Sequence, residues 1–402
     1  MSLQRVVFAV HDLGNLGGIQ SSVDALAAEF SARGVSVGYI SMNPPVAPVP
    51  IPGPVFVVNA GQQWTSDHPL AAQYPGPGGM VLLAKRLTVR PWRRIRRARL
   101  RRKLHGWGPE TAVIFAEPEI PDVLLHAGEP LRRPGTAGPT LISQVHTSFE
   151  GSRAWKLDEV LTRVITGTDA FVALSRGDAQ MFANRHGRPV AVIGNTVAEA
   201  PGGEADRLPV AVYLGRLAHE KRLDLLLRAF DLAADEVPEW ELHLHGSGVL
   251  EDDLRSQVQG MAHRDRVRLM GPTRSPHEVW QSASLAVLSS AFEGQPMMLL
   301  EAAAHGVPNV VTLTSPAVAD IVAVCGIGVS KDPSDEEFAQ ALVRAMADDS
   351  WRERAGGAAR RAMQAHEPSA IVGDWLTLIE ARDAQAVTHV DPSEMTKAGS
   401  RP

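Results

Sequence analysis

Short β-branched and aliphatic runs alternate with helix-period segments along almost the whole chain, and no other feature limits the possible folds as strongly. In the first half the runs fall at 6–10, 35–40, 55–59, 112–116, 141–146, 170–175 and 190–193. In the second half they fall at 211–214, 242–245, 267–270, 285–289 and 309–313. Segments 19–32, 223–234, 276–283 and 335–346 space their apolar residues for helices. A strand that returns through a helix to a parallel neighbour builds a sheet covered on both faces. The chain is therefore predicted to be α/β. Its 402 residues leave room for two domains with separate cores. The polar, breaker-rich stretch 198–209, which holds Pro201, Gly202 and Gly203, marks the expected linker. Residues 1–197 then form one domain and 210–366 a second, with a polar tail at 387–402. The Pro-rich stretch 44–54 reads as a loop inside the first domain.

Composition removes several classes. A hydrophobic share of 44% and a charged share of 21% are those of a soluble globular protein. Cys325 is the single cysteine, so no internal disulfide can form and a reducing, cytoplasmic compartment is expected. The apolar run at 7–10 is too short for a leader core, and no later run has the length of a membrane span. A formal net charge of −5 argues against a general nucleic-acid binder.

The chemistry concentrates at Glu293-Gly294-Gln295-Pro296, followed by Met297, Met298, Leu299, Leu300 and Glu301. A buried strand at 285–289, a Gly/Pro turn and a helix succeed one another here. A helix start of this kind offers free N–H groups and a partial positive charge to a phosphate. The flanking carboxylates, eight residues apart, cannot bind phosphate but accept hydrogen bonds from sugar hydroxyls. A sugar–phosphate ligand fits both. A second rim loop, Gly215-Arg216 to Lys221, follows the strand at 211–214. Ligands of open α/β sheets bind beyond the carboxyl ends of the strands, so both loops share one rim. Arg216 supplies a planar fork and Lys221 a point charge, together able to neutralise a diphosphate.

Gly215-Arg216 with Lys221, and Glu293 and Glu301 with seven residues between them, resemble the signature of retaining glycosyltransferases of the GT-B fold, family 4. Gly17-Gly18 at the first helix, Gly246-Ser247-Gly248, Gly271 after the strand at 267–270, and His305-Gly306-Val307-Pro308 extend the likeness over about residues 1–385. The resemblance implies two Rossmann-like parallel-sheet domains facing a cleft, with a last helix, 367–386, crossing back to the first domain. It implies sugar transfer from a nucleotide-diphosphate donor, a UDP-sugar foremost, without a cofactor or a metal. Arg216 and Lys221 would hold the diphosphate and stabilise the leaving group. Glu293, with Gly294, Gln295 and Pro296, would face the transferred sugar, and Glu301 would accept from the ribose. The N–H groups around Met298–Leu300 would cradle the diphosphate, with Met297, Met298 and Leu299 all at the donor, and Met270-Gly271 would border the base. Gly18 would let the backbone approach the donor phosphate, and His146 would position the sugar. Gln295 departs from the pattern, where an aromatic is common, and Ser315-Pro316 lacks the usual Gly-Pro turn.

Two histidine groupings suggest metal and are set aside. His11-Asp12 lacks a further ligand at suitable spacing, and His243 and His245 lack a third. One segment reverses the acidic balance. From Lys85 to Lys103 eleven of nineteen residues are Lys or Arg: Lys85, Arg86, Arg90, Arg93, Arg94, Arg96, Arg97, Arg99, Arg101, Arg102 and Lys103. Trp92 and Ile95 are interleaved. This density of one sign points to an anionic partner, either an anionic or lipid-linked acceptor or the inner membrane surface, ahead of a plain solvated helix face and of nucleic acid. A polyol-phosphate acceptor is one such polymer. The alternatives are a sugar-nucleotide epimerase of the same fold and a non-catalytic polyanion-binding adaptor.

Overall fold

The computed structural model describes residues 3–13, 17–44, 53–58, 94–131, 137–198, 200 and 207–383. The expected tail, most of the Pro-rich stretch and the basic residues Lys85, Arg86, Arg90 and Arg93 lie outside them. The chain forms two compact units, Met1–Gly194 with Ile371–Pro402, and Asn195–Ala370. Residues 195–197 and 367–370 thus belong with the second unit, a few positions from the expected borders. Among the described residues, no helix is long and apolar enough to cross a membrane.

In the first unit, the described strands are β1 (Arg5–Asp12), β2 (Ser36–Asn43), β3 (Val55–Val57), β4 (Thr111–Phe115), β5 (Thr140–Gln144), β6 (Ala170–Ala173) and β7 (Ala191–Val192). They pair in parallel in the order β3-β2-β1-β4-β5-β6-β7. Helices α1 (Gly18–Ala32), α2 (94–104), α3 (Glu119–Leu125), α4 (Phe149–Ala154), α5 (Asp158–Gly167) and α6 (Arg176–His186) make the connections. Val6 to Val10 of β1 are all buried, as a strand covered on both faces requires. One face of that sheet packs on Val23, Leu26 and Phe30 of α1.

The second unit holds β8 (Val210–Leu214), β9 (Glu241–His245), β10 (Val267–Gly271), β11 (Leu285–Leu288), β12 (Asn309–Thr312) and β13 (Gly326–Val329). Their order is β10-β9-β8-β11-β12-β13, again parallel. Its helices are α7 (Leu223–Ala233), α8 (Glu251–Gln259), α9 (Pro276–Ser282), α10 (Met297–Ala304), α11 (Pro316–Cys325), α12 (Asp335–Ala347) and α13 (Asp349–Ala362). The order reverses between β8 and β11, a switch point of the kind at whose carboxyl edge open α/β sheets take their ligands. Strand β13 is not among the expected runs. Its Gly326-Ile327-Gly328-Val329 carries little strand signal, yet a Cβ on Gly326 would stand 2.1 Å from Asn309 Oδ1. Close approach to β12 therefore requires glycine there.

The last helix, α14 (Pro368–Asp383), buries Ile371, Val372, Trp375, Leu378 and Ile379 in the same core as Val6, Phe8 and Phe30. That spacing is one helix face, and Trp375 is fully buried. Trp375→Ala should therefore cost the first unit about 3–5 kcal/mol of unfolding free energy, read as an earlier urea midpoint. A loss below about 1 kcal/mol would show that the helix contributes little to this core.

Candidate functional site

The loop after β8 is built by close backbone packing. Gly215 donates its N–H to His245 O, and Gly246, at φ 145, has room only for hydrogen: a Cβ would lie 1.8 Å from Gly215 O. The Tyr213 hydroxyl donates to Arg216 O at 2.7 Å. The chain then makes a 3₁₀ turn, His219–Lys221, directly before α7. Arg216 extends to solvent, 68% exposed, and its Nη2 donates to Glu220 at 2.8 Å. An exposed pair of this kind is weak and readily exchanged for a stronger anion.

Lys221 and Glu293, sequence-predicted to face different parts of a ligand, are bonded to each other. Lys221 Nζ donates to Glu293 Oε1 at 2.7 Å, with the side chains only 16% and 10% exposed. The Ser290 hydroxyl donates to the same oxygen at 2.6 Å. Oε1 is thereby saturated, while Oε2 has no protein donor among the described residues and is left to accept from a ligand hydroxyl.

The turn that follows is held from three directions. Ser315 Oγ donates to Gly294 O and accepts from Val318 N, so one hydroxyl caps α11 and fixes the turn. Gln295 is buried, and its side chain is spent inside the protein. Asn195 N donates to its Oε1 at 2.6 Å, and Asn195 Nδ2 donates to its backbone O at 3.0 Å. Only an oxygen can accept from a backbone N–H, which settles the orientation of the amide. Asn195 O in turn accepts from His366 Nδ1. At the start of α10, Pro296 O accepts from the N–H groups of Leu299 and Leu300. The donors without an acceptor among the described residues are Met297 and Met298, so of the expected stretch Met298–Leu300 only Met298 keeps an open N–H, with Met297 before it.

Glu301 sits one turn into α10, where burial pushes its carboxyl up to about 7 against a weak hydrogen bond from Trp280 Nε1 at 3.4 Å. Met270 is half exposed at the end of β10, beside Gly271 at φ 72. In the first unit, Gly18 opens α1 behind an extended Gly17, and His146 follows the end of β5. The two histidine groupings have other partners. His11 N donates to Glu117, whose carboxyl burial pushes up to about 7, and Asp12 accepts from Asn43. His243 bonds Glu241, while burial pushes His245 down to about 4.

Three residues at this site escape a reading of the sequence. Ser290 and Asn195 belong to no spacing pattern, and Trp280 reads as an ordinary apolar helix position.

Residues 208–348 match the family model described as glycosyl transferases group 1. The chain is also similar to the crystal structure of a mutant of S. aureus TarM in complex with fondaparinux, α-GlcNAc-glycerol and UDP. That likeness has a TM-score of 0.74 at 13% identity and covers 94% of this chain and 99% of that one. The fold is GT-B. An exopolysaccharide phosphotransferase of Streptomyces coelicolor is 30% identical over 243 residues, 58% of this chain and 25% of its own. The poly(glycerol-phosphate) α-glucosyltransferase of Bacillus subtilis is 28% identical over 166 residues, 41% of this chain and 25% of its own. The chain therefore spans a quarter of the length of these two relatives in the matched regions.

Two outcomes follow from this geometry. A carboxyl held at about 7 in the fold and 4.5 outside it stabilises fully below 4.5, and that contribution is lost as pH rises through 7. Glu301→Gln should therefore gain on the parent protein by up to about 3 kcal/mol between pH 4.5 and 8 in denaturant unfolding. A constant difference across that range would contradict the burial of this carboxyl. Gln295→Leu leaves the Asn195 N–H buried without an acceptor and should cost about 1–3 kcal/mol, measured the same way at fixed pH.

Proposed function

We propose that the protein is a retaining glycosyltransferase that moves a sugar from a nucleotide-diphosphate donor, a UDP-sugar foremost, to an anionic or lipid-linked glycan or polyol-phosphate acceptor. The observation that carries this reading is the Lys221–Glu293 pair at the β8/β11 switch point, on the loop that leads into α10 with its N–H groups of Met297 and Met298. A diphosphate arriving there meets Lys221, the α10 start and the solvent-exposed fork of Arg216. As the sugar–phosphate bond breaks, negative charge grows on the leaving diphosphate, and these groups stabilise it more than they stabilise the ground state. Glu293 Oε2 accepts from the transferred sugar, Glu301 from the ribose, and Met270-Gly271 borders the base. Gly18 and His146 keep the roles that the resemblance gives them. The UDP in the TarM complex supports a uridine nucleotide.

For the acceptor, α2 favours a soluble polyanion over an inserted membrane helix. Of its large apolar residues, Leu100 and Leu104 are consumed by the core and Ile95 is left exposed, so among the described residues one side chain rather than an apolar stripe is left to enter lipid. Its outer side carries Arg94, Arg101 and Arg102, and a shallow depression of about 350 Å³ is lined by Arg94, Arg97, Arg101, Arg102 and His105. Glu129 is the one acidic residue in that lining, 3.8 Å from Arg101. The glycerol-phosphate polymer named for the B. subtilis relative is an acceptor of this charge.

A panel of nucleotide sugars, assayed for nucleotide release with and without a polyol-phosphate acceptor, tests the reading. Acceptor-dependent release with an axial product anomer from an axial donor is the expected result. An isomerised donor would indicate an epimerase, and no turnover of any donor would indicate an adaptor. Lys221→Ala should lower kcat about 10²–10³-fold.

A further inference from the structure

We infer that Arg222 is a positioning residue of the donor site, the strap that holds Lys221 and Glu293 in register. This inference rests on the donor-site reading of that pair. Arg222 has φ 46 and ψ 47, a left-handed conformation that an L side chain adopts at a cost and glycine adopts freely. Lys156 is the other non-glycine residue with positive φ among those described. The local reason is plain: the 3₁₀ turn closes with Arg222 N donating to His219 O, and α7 begins at the next residue. The chain must turn within one residue. Strain held at such a place points to a role for what holds it.

The side chain supplies that role. Its Nε donates to Ser289 O at 2.9 Å, and its Nη2 donates to Ser290 O at 3.0 Å and to Lys331 O at 2.6 Å. Its Nη1 donates to Asp332 at 2.8 Å. Three of the four acceptors are main-chain carbonyls, from the end of β11 and from the segment after β13. A rigid planar fork can span them, and a single ammonium cannot. Further bonds stitch residues 220–222 to the end of β11. Ser289 Oγ lies 2.9 Å from the carbonyls of both Lys221 and Arg222, and Ala291 N donates to Glu220 O.

The contacts close a ring. Arg222 holds Ser290 by its carbonyl, Ser290 holds Glu293 Oε1 by its hydroxyl, Glu293 holds Lys221, and Lys221 is joined to Arg222 by a peptide bond. Ser290 is fully buried, so the ring has little freedom to relax. Arg222 touches neither the proposed phosphate nor the sugar position. It acts by fixing the two groups that do.

Arg222→Gly separates side chain from backbone, because glycine keeps the left-handed turn without strain. Amide exchange of residues 220–223 and 289–294 in the ligand-free protein should speed up by at least about tenfold. UDP affinity by calorimetry should weaken by at least about tenfold at a temperature where circular dichroism shows both proteins folded. Arg222→Lys should restore neither. Unchanged exchange would overturn the strap, and faster exchange with unchanged UDP affinity would reduce it to a structural tie. If the parent protein binds no UDP, the donor reading fails by itself, and the exchange result still decides whether Arg222 holds the ring.

Discussion

Everything proposed for the second unit depends on a hydrogen-bonded ion pair between residues 72 positions apart, Lys221 and Glu293. Neither side chain could find the other without the sheet order that sets β8 beside β11. The reversal of connection direction at that point marks the carboxyl edge where open α/β sheets take ligands, and here the two following loops are joined across it by Lys221–Glu293 and by Ala291 N to Glu220 O. Shielding from water strengthens the attraction between the charges and raises the cost of leaving either alone. The surrounding polar groups answer that cost. Ser290 adds a donor to Glu293, while Ser289 and Ala291 tie the main chain of residues 220–222.

The same economy of main-chain contacts shapes the rest of the rim. Gly246 admits the Gly215 carbonyl because it has no side chain, and Ser315 combines a helix cap with a hold on Gly294. The result is a set of loops that are largely backbone, positioned by buried hydroxyls and amides. Such loops can present N–H groups to an anion without moving first, which lowers the ordering cost of binding. The raised carboxyl of Glu301 has the opposite character. It is kept partly neutral near pH 7 by burial, and partners that donate hydrogen bonds to it favour its ionised form.

Much of this is legible in the sequence, for physical reasons that can be named. Strands such as 6–10 and 285–288 are nearly continuous apolar runs because both faces are covered. Lys221, Glu293 and Glu301 stand out because charged residues at strand–turn–helix junctions have few structural uses. What escapes is whatever depends on direction rather than type. The family resemblance puts Gln295 along the turn proposed to face the sugar, but a one-dimensional reading cannot tell that its amide turns inward to Asn195. Arg222 gives no signal because a left-handed turn is ordinarily announced by glycine. Strand β13 is hidden for the converse reason, since its Gly326 is demanded by packing against Asn309.

The core of the first unit is assembled from both ends of the described chain, with Trp375 beside Phe8. The second unit is a single uninterrupted stretch, Asn195–Ala370. On a ribosome, where domains fold as they emerge, the usual order is therefore inverted. The later-made unit has all its parts first, and the earlier one must wait, with an apolar sheet face uncovered, until the helix bearing Trp375 leaves the exit tunnel.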